Sequence, residues 1–267
     1  MYNLAVFGNP IEHSLSPAIH AQFAQQLAIQ ASYIKILAPI NNFAQAAQQF
    51  IDSGGDGFNI TVPFKIDAYK LATELTLNAK MAGAVNTIKV TDSQLIGENT
   101  DGLGLVNDLT QNLGLSLKDK KILILGAGGA TQGIILPLLQ QQPSRLMIAN
   151  RTASKAEKLA NDFSKYGPAY GFGLDKIKSD PVDIIINATS ASLDKKMPNI
   201  APGCAEHAIC YDLMYGEQTP FMNWARDNHA LMIADGLGML VEQAAHSFEF
   251  WTEKRPDTQA VIKNLRG

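Results

Sequence analysis

The chain has 267 residues, 46% of them hydrophobic and 18% charged, which suits a soluble globular protein of one or two domains with no shortage of core. Lys plus Arg is 22 and Asp plus Glu is 25, so a net charge of −3 offers a polyanion no broad basic face and disfavours a nucleic-acid partner. The two cysteines, Cys204 and Cys210, are too few for a disulfide framework and lack CxxC spacing, so idle thiols in a reducing, cytoplasmic setting are expected.

Met1 to Pro10 carries no basic cluster followed by an apolar run and reads as mature protein rather than a targeting peptide. From residue 3 to about 100, short β-rich runs alternate with helical ones; strands are predicted over 4–8, 33–38, 57–62, 84–90 and 94–96. Ser16 and Pro17 read as a helix start, serine as the cap and proline at the first helical position. Ile19, Phe23 and Leu27 then recur on one face, and Phe43, Ala47, Phe50 and Ile51 repeat the pattern before the turn Ser53-Gly54-Gly55. This predicts an α/β unit with parallel strands joined by crossover helices.

A helical run with Leu103, Leu105, Val106 and Leu109 leads into a second α/β unit, with strands predicted over 121–125, 145–149, 182–188, 209–213 and 231–233. A short strand over 169–172 fits a stretch otherwise too rich in glycine to read. Residues 122–144 carry no charge and are long enough for a membrane span. Gly126, Gly128, Gly129 and Gly133 interrupt them, Pro137 follows, and Gln140, Gln141 and Gln142 would be desolvated in lipid, so no membrane partner is expected. Asp-Gly-Leu-Gly occurs at 101–104 and again at 235–238, each ahead of a helical pattern. These are crossing points between domains, or else a chance recurrence of four common residues.

Lys121-Ile-Leu-Ile-Leu125 runs straight into Gly126-Ala127-Gly128-Gly129-Ala130 and a helical pattern, the strand, glycine turn and helix of a dinucleotide site. There the backbone N–H groups and the helix N-terminus approach a pyrophosphate. The third glycine of the usual GxGxxG falls at Thr131, which would loosen helix–strand packing unless Ala130 or Gly133 takes that role. About 20 residues on, where an NAD site places an acid, stand Asn150, Arg151 and Thr152, followed by Lys155. A guanidinium pairs with a 2′-phosphate that an acid would repel, so the expected cofactor is NADP.

On the substrate side, Ser14 and Ser16 place two hydroxyls at a helix N-terminus, where they can bind a small carboxylate; as an isolated feature they read as a capping serine beside an ordinary loop serine. In Asn59-Ile-Thr61-Val-Pro63-Phe-Lys65, period two puts residues 59 and 61 on one side of a strand, and Pro63 stops the strand and throws Lys65 into a loop. Asn86 sits on another predicted strand, and Asp101 follows Glu98-Asn-Thr. Polar groups at strand ends are where α/β folds keep ligands. His13, His20, His207, His229 and His246 show no close ligand spacing, and no metal is expected.

Nine segments in order then become specific: Ser14-Leu-Ser16-Pro17, Asn59-Ile-Thr61-Val-Pro63-Phe-Lys65, Gly83-Ala-Val-Asn86-Thr, Asn99-Thr-Asp101-Gly102, Gly126-Ala-Gly-Gly-Ala130, Asn150-Arg-Thr152, Asn187-Ala-Thr-Ser190, Tyr211-Asp-Leu-Met-Tyr215 and Asp235-Gly-Leu-Gly-Met239. Over essentially its whole length the chain resembles the shikimate dehydrogenase family, NADP-dependent enzymes of aromatic amino-acid biosynthesis. The resemblance implies a catalytic pair of Lys65 and Asp101. It implies a substrate carboxylate held by Ser14, Ser16 and Tyr215, and substrate hydroxyls met by Thr61, Asn86 and Gln243. It also implies Asn150, Arg151, Thr152 and Lys155 around the adenosine 2′-phosphate, with Thr189, Met214, Gly236 and Met239 lining the nicotinamide side.

For Gln243 to reach the substrate the chain must return to its first domain. The resemblance therefore implies a discontinuous substrate domain of 1–101 plus 238–267, a Rossmann-type NADP domain of 102–237, and an active-site cleft between them. One departure stands out: Ala191-Ser192-Leu193 follows Ser190 where the family often has a glycine. The implied reaction is the reversible reduction of 3-dehydroshikimate to shikimate by a monomer or homodimer. The alternatives are a quinate-acting relative using NAD or both cofactors, a non-catalytic NADP sensor, and a SAM-dependent methyltransferase, which would want an acid where Asn150 and Arg151 stand.

Overall fold

The computed structural model describes residues 1–92, 94–177, 181–189, 197 and 200–267, with Pro202 described by its backbone alone. Ser190 and the departure at 191–193 lie outside the described residues. The chain divides into two compact units, Met1–Gly104 with Leu240–Gly267, and Leu105–Met239.

In the first unit, β1 (Tyr2–Gly8), β2 (Ala31–Leu37), β3 (Gly57–Ile60), β4 (Glu74–Leu75), β5 (Thr87–Val90) and β6 (Leu95–Glu98) form one sheet in the order β2-β1-β3-β5-β6-β4. Helices α1 (Ser16–Gln26) and α2 (Phe43–Asp52) are the crossovers around β2, while α3 (Lys65–Leu71) and α4 (Leu77–Ala82) flank β4. One core gathers Phe7, Phe43, Phe50, Phe58 and Phe64, with Phe7 and Phe58 meeting edge-on at 5.1 Å. A second gathers Ile19 and Phe23 of α1 with Val241, Ala244, Ala245 and Phe248 of the long helix that returns from the second unit, and Val261.

The structure corrects several local expectations. The sheet is mixed, because β5 pairs antiparallel with both β3 and β6. Only residues 91–94 separate β5 from β6, far too few for a crossover, so the pair closes as a hairpin. Ser16 does not cap α1: it is the first helical residue, Leu15 stands at the cap without a side-chain bond, and Ser14 Oγ accepts the Ser16 N–H at 3.3 Å. Lys65 is not in a loop either, since it opens α3. β3 ends at Ile60, which leaves Thr61 just beyond the ladder and Asn59 buried within it.

The second unit is built on β7 (Lys121–Leu125), β8 (Arg145–Asn150), β9 (Ala169–Gly173), β10 (Ile184–Asn187), β11 (Ile209–Asp212) and β12 (Met232–Ala234). All pair parallel in the order β12-β11-β10-β7-β8-β9, the doubly wound arrangement whose direction reverses between β7 and β10. Helix α5 (Asp101–Asn107), continued by a wider π-helical turn, leads in from the first unit. Then come α6 (Gly129–Gln140), α7 (Ala153–Phe163) and α8 (Pro220–Asp227), before α9 (Leu237–Thr252) leads back and α10 (Gln259–Arg266) ends the chain. The uncharged run 122–144 is thus β7, the glycine turn and α6, and Pro137 lies within α6. Among the described residues no helix is long and apolar enough to cross a membrane.

Candidate active site

The start of α3 brings Lys65 against the start of α5, where Lys65 Nζ donates to Asp101 Oδ2 at 2.6 Å. Asn86, immediately before β5, donates from Nδ2 to Asp101 Oδ1 at 2.8 Å, so both carboxylate oxygens are held. The amide orientation of Asn86 is unambiguous: the Thr100 backbone N–H, which can only donate, reaches its Oδ1 at 2.9 Å. Gln243 is oriented by the same logic. Its Nε2 donates to the Leu240 carbonyl at 2.7 Å, which turns Oε1 toward Asn86 Nδ2 at 3.3 Å. The Lys65 side chain is 31% exposed and that of Asp101 16%, so the pair sits at the surface of the unit with ammonium N–H bonds to spare.

Beneath it lies a polar layer that local sequence patterns did not reveal. Asn59 Oδ1 accepts the Tyr33 hydroxyl at 2.7 Å, and its Nδ2 lies within hydrogen-bond distance of the Asn86 carbonyl, Thr87 Oγ1 and Ser247 Oγ. Thr87 and Ser247 share a bond of 2.7 Å. Tyr33 also bonds Ser16, and burial pushes its phenol well above the ordinary range. His20 stacks on Tyr33 with ring centroids 4.2 Å apart, and burial holds its pKa down at about 3, against a weak upward pull from Asn59. The available signal was Asn59 itself, a polar residue between the wholly apolar Phe58 and Ile60.

Ser14 and Ser16 are half-buried at the start of α1, and half-buried Thr61 bonds the Phe7 carbonyl through its N–H at 2.9 Å, beside the end of β1. Tyr215 lies in the second unit, with its phenol raised by partial burial.

In that unit the glycine turn leaves β7 through Gly126, whose φ of 106° is the left-handed region that favours glycine. Gly128 stands at the cap of α6 with no side-chain bond, so no cap side chain takes up the first-turn N–H groups. Among the described residues, a methyl group at Gly128 or Gly129 would meet no atom within 4 Å beyond its own neighbouring backbone. The fold does not demand glycine at either position, and the open space suits a pyrophosphate against the backbone. Thr131 is buried and donates from Oγ1 to the Gly126 carbonyl at 3.0 Å, so it ties the helix to the turn where the missing third glycine would have allowed close packing.

At the end of β8, Asn150 donates from Nδ2 to the Thr152 carbonyl at 3.0 Å, and Arg151, Thr152 and Lys155 are exposed. Helix α7 has no acid in its first turn. Cations here oppose the helix dipole, an arrangement that makes sense when a phosphate is brought to them. Thr189 follows β10 and Met214 follows β11, both half-buried; Gly236 donates to the Met214 carbonyl at 2.9 Å, and Met239 is half-buried near the start of α9. Open glycines, uncapped helix and cationic β8 edge fit NADP.

Comparison with known proteins identifies the family. Residues 6–88 match the shikimate dehydrogenase substrate binding domain, 108–197 the shikimate/quinate 5-dehydrogenase family, and 236–266 the shikimate 5′-dehydrogenase C-terminal domain. A "Shikimate dehydrogenase (NADP(+))" of Ruthia magnifica subsp. Calyptogena magnifica is 70% identical over 266 residues, covering all of both chains. The crystal structure of an Ael1 enzyme from Pseudomonas putida is 42% identical with a TM-score of 0.96, covering 99% of this chain and 98% of its own. The shikimate 5-dehydrogenase of Thermus thermophilus, solved with NADP(H) and shikimate, is 29% identical with a TM-score of 0.87, covering 100% and 99%. Lys65 and Asn86 fall in the first matched segment, the glycine turn and Arg151 in the second and Gln243 in the third; the chain belongs to the shikimate dehydrogenase family.

Proposed function

We infer that the chain catalyses the reversible, NADPH-dependent reduction of 3-dehydroshikimate to shikimate, an oxidoreductase step of aromatic amino-acid biosynthesis. The observation that carries this reading is the Lys65–Asp101 pair, held on both carboxylate oxygens by hydrogen bonds and partly open to solvent. Asp101 orients the Lys65 ammonium, whose remaining N–H bonds stabilise or protonate the oxygen that becomes an alkoxide. NADPH, when bound, supplies the hydride. Thr61, Asn86 and Gln243 meet the ring hydroxyls; the fixed amide of Gln243 presents an oxygen to them, which favours a hydroxyl that donates. Ser14, Ser16 and Tyr215 take the carboxylate.

Gly126, Ala127, Gly128, Gly129 and Ala130 receive the pyrophosphate, and Asn150, Arg151, Thr152 and Lys155 the 2′-phosphate. Thr189, Met214, Gly236 and Met239 line the nicotinamide side. The net charge of −3 is in keeping with a cytoplasmic enzyme of a small-molecule substrate, working as a monomer or homodimer without nucleic acid. Initial rates on shikimate and quinate, each with NADP+ and NAD+, test the assignment. Shikimate with NADP+ is expected to be fastest, and faster turnover of quinate with NAD+ would overturn it.

A further inference from the structure

We propose that Asn187 and Asp212 are positioning residues, a hydrogen-bonded clamp that locks together the two loops on the nicotinamide side. This rests on the reading above that Thr189 and Met214 face that ring. The two residues end adjacent parallel strands, β10 and β11, as direct partners in register, and both are wholly buried. Asn187 Nδ2 donates to Asp212 Oδ1 at 3.2 Å. Asn187 Oδ1 accepts two bonds from Thr189, from its backbone N–H at 3.2 Å and its hydroxyl at 2.7 Å. Asp212 Oδ1 accepts the Met214 N–H at 3.1 Å, while Oδ2 accepts the Thr219 hydroxyl. Thr219 Oγ1 in turn accepts the Met222 N–H at 3.2 Å and so caps α8.

Each residue thus folds its own loop back two positions along the chain, which a serine or aspartate could do alone. The bond between them adds something that separate turns lack: the Asn187 side chain holds Thr189, the Asp212 carboxylate holds Met214, and the Asn187–Asp212 bond ties these two anchors to each other, so a shift of either anchor strains the other. In a dry interior such a network is stiff when complete, and removal of one member leaves its partners unpaired. Because the Thr189 N–H can only donate, the Asn187 amide cannot flip without losing two bonds at once. The clamp therefore fixes where the Thr189 hydroxyl points and where the backbone bearing Met214 runs.

The test compares Asn187→Ala, Asp212→Ala and Asp212→Asn with the parent enzyme. The readouts are kcat, the deuterium isotope effect with shikimate labelled at the carbon that gives up hydride, and the Kd of 2′,5′-ADP, which occupies the adenosine end alone. Asn187→Ala is expected to lower kcat by about tenfold or more and raise the isotope effect, with the Kd of 2′,5′-ADP within about twofold. Asp212→Ala should behave likewise, whereas Asp212→Asn keeps an oxygen for Asn187 and Met214 and should stay within about threefold of the parent. An unchanged kcat and isotope effect in Asn187→Ala, a parallel collapse of 2′,5′-ADP binding, or equal losses in the two Asp212 variants would each overturn the clamp. Thr189→Val and Met214→Ala examine the underlying reading separately. If both leave kcat and the KM for NADP+ untouched, the nicotinamide-side assignment falls and the clamp with it; if both are impaired while Asn187→Ala is normal, only the clamp falls.

Discussion

At Lys65 the structure puts a flexible ammonium on the first turn of a short helix and steadies it with one carboxylate at 2.6 Å. Its removal should strike the chemical step rather than cofactor affinity. Lys65→Ala is expected to lower kcat by more than about tenfold with the Kd of NADP+ nearly unchanged, and steady-state rates with a fluorescence titration of NADPH would check both. Arg151→Ala should do the opposite, raising the KM for NADP+ by about tenfold while leaving that for NAD+ within about twofold, because a guanidinium at the β8 edge matters only when a 2′-phosphate is present. A matched rise for both cofactors would place Arg151 elsewhere. Arg151 was legible because it follows the second strand of a dinucleotide unit where an acid would otherwise stand, whereas Lys65 was marked by the family resemblance and the structure moves it from a loop to the start of α3. The polar layer that Asn59 builds with Tyr33 and Ser247 was not legible: Asn59 bonds a residue 26 positions away and another 188 away, and only the folded chain puts them together.

Among the elements, β7 was legible to the residue and the glycine turn and a following helix with it, since a strand buried from Ile122 onward and running into open glycines has few other readings. The same turn allows a test in which folding and binding move in opposite directions. Gly128 has φ −96° and ψ −170°, which any residue adopts, and a methyl group there meets none of the described residues beyond its chain neighbours. Gly128→Ala should therefore keep or raise Tm while increasing the KM for NADP+ by about tenfold, as read by thermal melts and initial rates. A lowered Tm would show that the glycine serves the fold instead. Less of the first unit could be read. The hairpin β5–β6 looked like two parallel strands because strand direction is invisible in a pattern of period two, and β4, two residues long, carries no period at all. The glycines around β9 obscured that strand for a physical reason, since a side chain on Gly171 would collide with the Ala156 carbonyl of α7.

Over the whole molecule, buried histidine sets a pH dependence that can be signed. His20 has a pKa of about 3 in the fold, from burial, against the ordinary 6.5 it regains on unfolding. Between those values only the unfolded chain binds the proton, so stability is full above pH 6.5, declines as pH falls and stops declining near pH 3. His246, less deeply buried, is held at about 3 by burial and the nearby Arg255 and acts in the same direction. His20→Phe should flatten the slope of unfolding free energy between about pH 6.5 and 5 by as much as ~1.4 kcal/mol per pH unit, a window above most carboxylate titration. Denaturant melts across that range would measure it, and an unaltered slope would discharge His20 from the effect.

The first unit is closed by residues made after the whole of the second. Its second core needs Val241, Ala244, Ala245 and Phe248, and Trp251 Nε1 donates to the Ile88 carbonyl at 2.9 Å from 163 positions away. On the ribosome the strands of both sheets have emerged before α9 has, so the nascent chain carries Lys65 and Asp101 on a unit that lacks its second core, with Ile19 and Phe23 of α1 uncovered. The second unit must then be able to fold as an insertion within an unfinished neighbour, and the emergence of α9 and α10 becomes the event that seals the first.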